Sequence, residues 1–178
     1  NRQQSATDFN THIQSISNIS TDASNLERIN RWNSALRMFK EKPFFGWGPN
    51  TYQFKYAPYQ LSKEMTIIST NFGDGGNAHS EYIGPLTESG VFGALSVIAM
   101  IVVMITRATL FYSRCKINEI KNLTLTILLS LITYFVHGML NNFLDTDKAA
   151  VPVFGFMAML VALEVYHSNN TTYQPNTL

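Results

Sequence analysis

The sequence has a single cysteine, Cys115, which excludes an internal disulfide and any paired-cysteine metal site. It has almost no net charge, +1 from 13 Lys and Arg against 12 Asp and Glu. That lacks the basic surface of a nucleic-acid binder, so nucleic acid is not an expected partner. No GxSxG nucleophile elbow is present, and a Ser-His-Asp hydrolase has nothing to rest on. Gly46-x-Gly48 lacks the strand-turn-helix setting of a phosphate loop. No cleavable leader is visible, and the first residue is Asn rather than Met. With its apolar residues gathered in the second half, the chain reads as the C-terminal piece of a longer protein.

What it does have is two regimes. Residues 1–89 carry eight Lys/Arg and eight Asp/Glu, whereas residues 90–178 carry five and four. Three later segments match membrane spans, which need about 20 apolar residues. Val91 to Ile105, extended through Tyr112, has no polar face. Leu123 to Leu140 is softened by Thr124, Thr126, Ser130, Thr133 and His137. Ala149 to Tyr166 has Pro152 in its expected first turn. The expected fold is all-α: a polytopic membrane protein with a helical loop region, residues 1–89, then three transmembrane helices within 90–166 and a polar tail, 167–178. Arg107, Arg114, Lys116 and Lys121 flank the first linker, while the second has Lys148 against Asp145 and Asp147. The positive-inside rule therefore puts the first linker and the tail in the cytoplasm, and residues 1–89 with the Asn141 to Lys148 loop on the outer face.

Within residues 1–23, Phe9, Ile13, Ile16 and Ile19 are spaced as one helical stripe. Ser24-Asn25-Leu26-Glu27 reads as a capping box opening a helix to about Glu41, before Pro43. At 100° per residue, Arg28, Trp32, Ala35, Leu36 and Phe39 share its apolar side, with Arg31 flanking. A guanidinium on a packed face needs an anionic partner, unless it snorkels or pairs with a structural carboxylate. Arg37 and Lys40 are expected to be solvated. The aromatic segment Pro43 to Asn50, with Tyr52, Phe54, Tyr56 and Tyr59, suits interface packing better than sugar stacking. Thr66 to Thr70 is an expected short extended piece, and Asn71 to Asn77 a flexible glycine-rich loop.

Asn77 reads as an N-cap that puts His79 in the first turn of a helix running into the first span. The positive helix end there favours neutral imidazole, able to accept a proton. Glu81 and Glu88 fall opposite His79, Pro85 predicts a kink, and Gly90 and Gly93 allow close helix packing. His79-x-Glu81 has no third ligand at a metal-binding spacing, so no zinc site is expected. A capping histidine without chemistry is the plain alternative. Asp145 and Asp147 are candidates to orient His79 or Arg28 across the bundle, with capping of the third span as their commoner role.

Arg28-x-x-x-Trp32-x-x-Ala35-Leu36, then Pro43-x-x-Gly46-x-Gly48, then His79-x10-Gly90-x-x-Gly93 opening a span, resembles the C-terminal core of the O-antigen ligase and O-antigen polymerase-like superfamily. The resemblance covers roughly residues 24–112. It implies a multi-pass enzyme of the bacterial inner membrane that transfers or polymerises glycan from an undecaprenyl-diphosphate donor at the periplasmic face, embedded in membrane lipids. The implied acceptor is lipid A-core, another lipid-linked glycan or a protein. Inversion at the anomeric carbon without metal or other cofactor is implied too. Mapped onto this chain, the essential arginine is Arg28 and the histidine His79. Arg31 and Trp32 are neighbours on the substrate side, joined by Asp145 and Asp147. Gly84-Pro85 departs from the family's unbroken apolar pattern. Earlier spans and a second family arginine are absent, so this piece is not expected to act alone. The rival readings are a non-catalytic lipid-linked glycan transporter or flippase subunit, which would tolerate loss of His79, and a purely structural membrane subunit.

Overall fold

The computed structural model describes residues 23–70 and 76–167. The stripe from Phe9 to Ile19, most of the glycine-rich loop and nearly all of the polar tail lie outside them. The described residues contain helices and turns but no strand. Helix α1 spans Ala23–Glu41, a short α2 spans Tyr52–Lys55, and a 3-10 turn spans Ala57–Tyr59. Three long helices follow: α3, Ile83–Arg114, α4, Asn118–His137, and α5, Asp147–His167. Each of the three is long and apolar enough to cross a bilayer.

Helix α1 has no interior glycine or proline and ends before Pro43, as the sequence predicts. Its packed face differs from the expected one. The buried residues are Glu27, Asn30, Arg31, Ser34, Ala35 and Met38. Leu26 and Ile29 are 36% exposed and Leu36 is 40% exposed. The face therefore turns away from Arg28 and toward Arg31. The apolar-inward rule presumes water outside. Here the surface under the first half of α1 is polar, and hydrogen bonds around Glu27, Asn30 and Arg31 help decide which face goes in. Glu27 turns its carboxylate inward to Arg31, Asn30, Thr66 and Ser69. Thr66 to Ser69 forms a turn closed by Ser69 N–H to the Thr66 carbonyl at 3.1 Å, not an extended piece. Arg37 is not free in solvent: it pairs with Glu64 and donates to the Tyr59 carbonyl.

A small core lies beneath α1, built from Ala35, Met38, Tyr52, Tyr56 and Ala78, with Trp47, Tyr59 and Ile83 around it. Tyr52 and Tyr56 are thus core residues, stacked with ring centroids 5.1 Å apart, whereas Phe44, Phe45 and Phe54 stay exposed.

The break in α3 falls at Gly90, whose φ of 68° and ψ of −161° suit glycine alone. Pro85, the third residue of α3, sits where the helix start needs no amide donor, so it produces no kink. At the break the Pro43 to Gly48 segment replaces the helix's own bonds. Trp47 N–H donates to the Thr87 carbonyl at 3.2 Å, Gly48 N–H to the Glu88 carbonyl at 2.8 Å, and Val91 N–H to the Pro43 carbonyl at 2.8 Å. The approach is backbone on backbone. A Cβ on Gly90 would lie 2.2 Å from the Phe44 oxygen, and one on Gly46 2.4 Å from the Glu88 carbonyl. Gly90 therefore packs against a loop, not against a neighbouring helix.

Below the break the three long helices share a core of Met104, Ala108, Ile127, Leu128, Leu131, Phe135, Val153 and Leu160. Their outer faces are apolar and open, with Val102, Val103, Val151, Val161 and Val165 all more than half exposed. Such a continuous apolar girdle fits lipid or other spans, not water. In α4 the hydroxyls of Thr124, Thr126, Ser130 and Thr133 each donate to the carbonyl four residues back at 2.8–2.9 Å, which satisfies them inside a bilayer. Pro152 sits at the sixth residue of α5, a turn later than expected. The chain is a polytopic, helical membrane protein with a folded loop region on one end of its bundle.

Because the contact at Gly90 is rigid backbone, Gly90→Ala should lower the thermal midpoint of the detergent-solubilised protein by several degrees. Gly84→Ala, where an added Cβ meets nothing within 4 Å, should leave it unchanged. Equal midpoints for the two variants would show that the loop does not depend on this approach.

Candidate functional site

The site forms where α1 crosses the bend that precedes α3. Arg31 is its buried cation. Its Nε donates to Glu27 Oε1 at 2.9 Å, a pair one helical turn apart with side chains 9% and 5% exposed. The Arg31 guanidinium lies over the Tyr56 ring, 4.8 Å from its centroid, and Nη1 donates to the Asn77 carbonyl at 3.4 Å. Burial alone would raise the Glu27 pKa, yet hydrogen bonds from Ser69, Arg31, Thr66 and Asn30 outweigh it and hold the carboxyl below the usual range. Burial pushes the Tyr52 phenol well up, so it stays protonated and donates to the Arg31 carbonyl at 2.9 Å.

Arg28, one turn earlier, is only half-buried. It donates from Nη1 to Asn25 Oδ1 at 3.0 Å and is engaged by no carboxylate among the described residues. The two arginines therefore differ in kind. Arg31 is neutralised and locked, whereas Arg28 keeps its charge at the edge of the site.

His79 does not start a helix. It sits in a bend with φ of 48°, in the left-handed region that few non-glycine residues enter. Its N–H donates to Asn77 Oδ1 at 3.1 Å, and its carbonyl accepts from Trp32 Nε1 at 3.3 Å. Helix α3 begins at Ile83, and the Ser80 hydroxyl does the capping, accepting from the Tyr82 and Ile83 amides at 3.3 and 3.4 Å. The imidazole makes no hydrogen bond to a described residue. Burial lowers its pKa below 6.5, with the charges of Arg31 and then Arg28 acting in the same direction against a smaller opposing effect of Glu27. Neutral imidazole is thus favoured, as expected from the sequence, but burial and two arginines are the cause rather than a helix end.

His79, Arg28, Arg31 and Trp32 come together. Asp145 and Asp147 do not join them by any hydrogen bond or ion pair among the described residues. Asp145 accepts from Asn142 Nδ2 at 2.6 Å, and Asp147 opens the first turn of α5, where negative charge suits the helix end. Glu88 points away from His79 and accepts from the Asn50 and Tyr52 amides at 2.8 and 2.9 Å. Glu81 is buried and faces α4. Among the described residues no three His, Cys, Asp or Glu side chains converge as a ligand set for a metal. Sequence reasoning missed Glu27, although an acidic residue four before Arg31 was a visible signal.

A family model described as O-antigen ligase matches residues 4–98. A relative from Haemophilus influenzae, described as an uncharacterized protein, is 26% identical over 136 residues, covering 75% of this chain and 32% of the relative. The chain thus spans about a third of that relative's length. No solved structure matches.

Removing Glu27 tests the locked pair. Glu27→Ala leaves a buried guanidinium without its carboxylate and should cost about 3 kcal/mol, read by chemical denaturation of the solubilised protein. The free cation is tested by titration. Arg28→Gln removes a charge that disfavours imidazolium, so the His79 midpoint should rise toward 6.5, measured as the pH dependence of its carbethoxylation; an unmoved midpoint would separate Arg28 from His79.

Proposed function

Because the chain belongs to the O-antigen ligase family, we propose that it carries the outer-face active site of an inner-membrane glycosyltransferase. The enzyme takes glycan from an undecaprenyl-diphosphate carrier and passes it to an acceptor hydroxyl. The observation that supports this is the meeting of an imidazole held toward its neutral form with a guanidinium that no carboxylate engages among the described residues, at the mouth of an apolar helix. A lipid-linked diphosphate needs both: a base for the acceptor and a cation for the leaving group, beside a span along which the polyprenyl chain lies.

In this reading the acceptor oxygen attacks the anomeric carbon as its proton passes to neutral His79. The bond from that carbon to the diphosphate oxygen breaks, and the diphosphate leaves with the electron pair. Arg28 meets the charge that develops there with charge-assisted, bidentate hydrogen bonds. Arg31 acts by holding the Asn77 to His79 bend against α1, and Trp32 by bonding the His79 carbonyl. The site end of the bundle faces the periplasm because the opposite end carries Arg107, Arg114, Lys116 and Lys121.

His79 keeps its base form as acidity rises, since its pKa is depressed; the acid limb of the rate profile therefore falls below the ordinary histidine value. In the full-length protein, His79→Ala should reduce transfer about 10²–10⁴-fold and Arg28→Ala about 10²–10³-fold, with membrane insertion intact. The readout is the cellular glycan profile. Full transfer with His79→Ala and loss with Arg28→Ala would instead indicate a transporter that holds the diphosphate without forming a glycosidic bond.

A further inference from the structure

Glu81 lies two residues beyond His79, is 5% exposed, and has no part in the chemistry above. One of its oxygens carries three hydrogen bonds. Oε1 accepts from the Tyr134 hydroxyl at 2.7 Å, the Phe143 N–H at 2.7 Å and the Leu144 N–H at 2.8 Å. The Glu81 N–H in turn donates to the Gly138 carbonyl at 2.8 Å. Gly138 lies so close that an added Cβ would stand 2.8 Å from Glu81 Cγ. On either side of Glu81 the same pattern repeats. Asn77 Nδ2 donates to the Asn142 carbonyl at 3.4 Å, and the Tyr82 hydroxyl to the Phe135 carbonyl at 2.9 Å.

The bend that bears His79 is therefore held from two sides. Helix α1 holds it through Trp32 and Arg31, while α4 and the α4–α5 connection hold it through Asn77, Glu81 and Tyr82. Among the described residues of the bend, Glu81 alone reaches both the end of α4 and the backbone of the connection. The Phe143 and Leu144 amides follow the end of a helix long and apolar enough to cross a bilayer; an unpaired buried donor is costly, and a carboxylate is a strong acceptor for them.

We propose that Glu81 is a positioning residue: it joins the α4–α5 connection to the His79 bend as one body, so that this connection fixes where the imidazole stands relative to Arg28. The proposal rests on the glycosyl-transfer reading for its functional consequence, but the latch itself is measured independently of it. The function of the carboxylate here is as an acceptor, not as an acid or base, so glutamine, which keeps a carbonyl Oε1, should replace it.

The test uses the full-length protein in its membrane, as wild type, Glu81→Ala and Glu81→Gln. Three quantities are read: hydrogen exchange in the peptide containing Phe143 and Leu144, carbethoxylation of His79 by diethyl pyrocarbonate, and the cellular glycan profile. Glu81→Ala should speed exchange about tenfold or more, raise the His79 reaction rate about fivefold and reduce transfer about tenfold, the scale set by losing charge-assisted bonds. Glu81→Gln should stay within about threefold of wild type in all three, since the acceptor oxygen remains. Unchanged exchange and His79 reactivity in Glu81→Ala overturn the proposal, and so does faster exchange with full transfer. Glu81→Gln with native exchange but no transfer also overturns it, because the charge would then act chemically. If His79→Ala retains full transfer, the glycosyl-transfer reading fails, while exchange and carbethoxylation still decide the latch.

Discussion

The buried pair of Glu27 and Arg31 is the constraint on which the loop region depends. Two opposite charges removed from water are stable only if their remaining donors and acceptors are met, and the surrounding chain is arranged to meet them. Thr66 and Ser69 turn their hydroxyls onto the carboxylate, and Asn30 bridges it to Gln60. Tyr56 faces the guanidinium, and the Asn77 carbonyl accepts from its far end. Four separate stretches of chain converge on one pair. This explains why the polar face of α1 is the buried one.

A consequence is a division of labour between two arginines one turn apart. Arg31 has its charge cancelled and becomes part of the scaffold. Arg28 is engaged by no carboxylate among the described residues, and both guanidiniums lower the proton affinity of His79.

Much of this was legible in the sequence. Long apolar runs give the three spans directly, because lipid imposes length and composition without regard to detail. The pairing of Arg28 with His79 came from the resemblance to the O-antigen ligase superfamily, not from residue types and spacing alone. What sequence reasoning mistook was direction. The apolar stripe of α1 was read as its packed side, since periodicity reports which residues are alike and not what lies across from them. His79 was read into a helix because Asn77 is a good cap, but Asn77 bonds the His79 amide inside a bend and the capping falls to Ser80. The kink was assigned to Pro85 because proline is the visible helix breaker. The actual break at Gly90 depends on a loop some forty residues earlier in the chain, and no local pattern announces it.

The interlock at Gly90 also sets what the site is anchored to. A transmembrane helix adjusts its tilt to the thickness of the surrounding bilayer, and in an unbroken helix that tilt would carry through to the residues at its mouth. Here the segment Ile83 to Ser89 is clamped to the Pro43 to Gly48 loop, while the span proper begins at Val91. The joint between them is a single glycine. Both sides of that joint are bonded to the same loop, Thr87 and Glu88 before it and Val91 after it, so a change of tilt at the mouth of the span is opposed by backbone hydrogen bonds of the loop region.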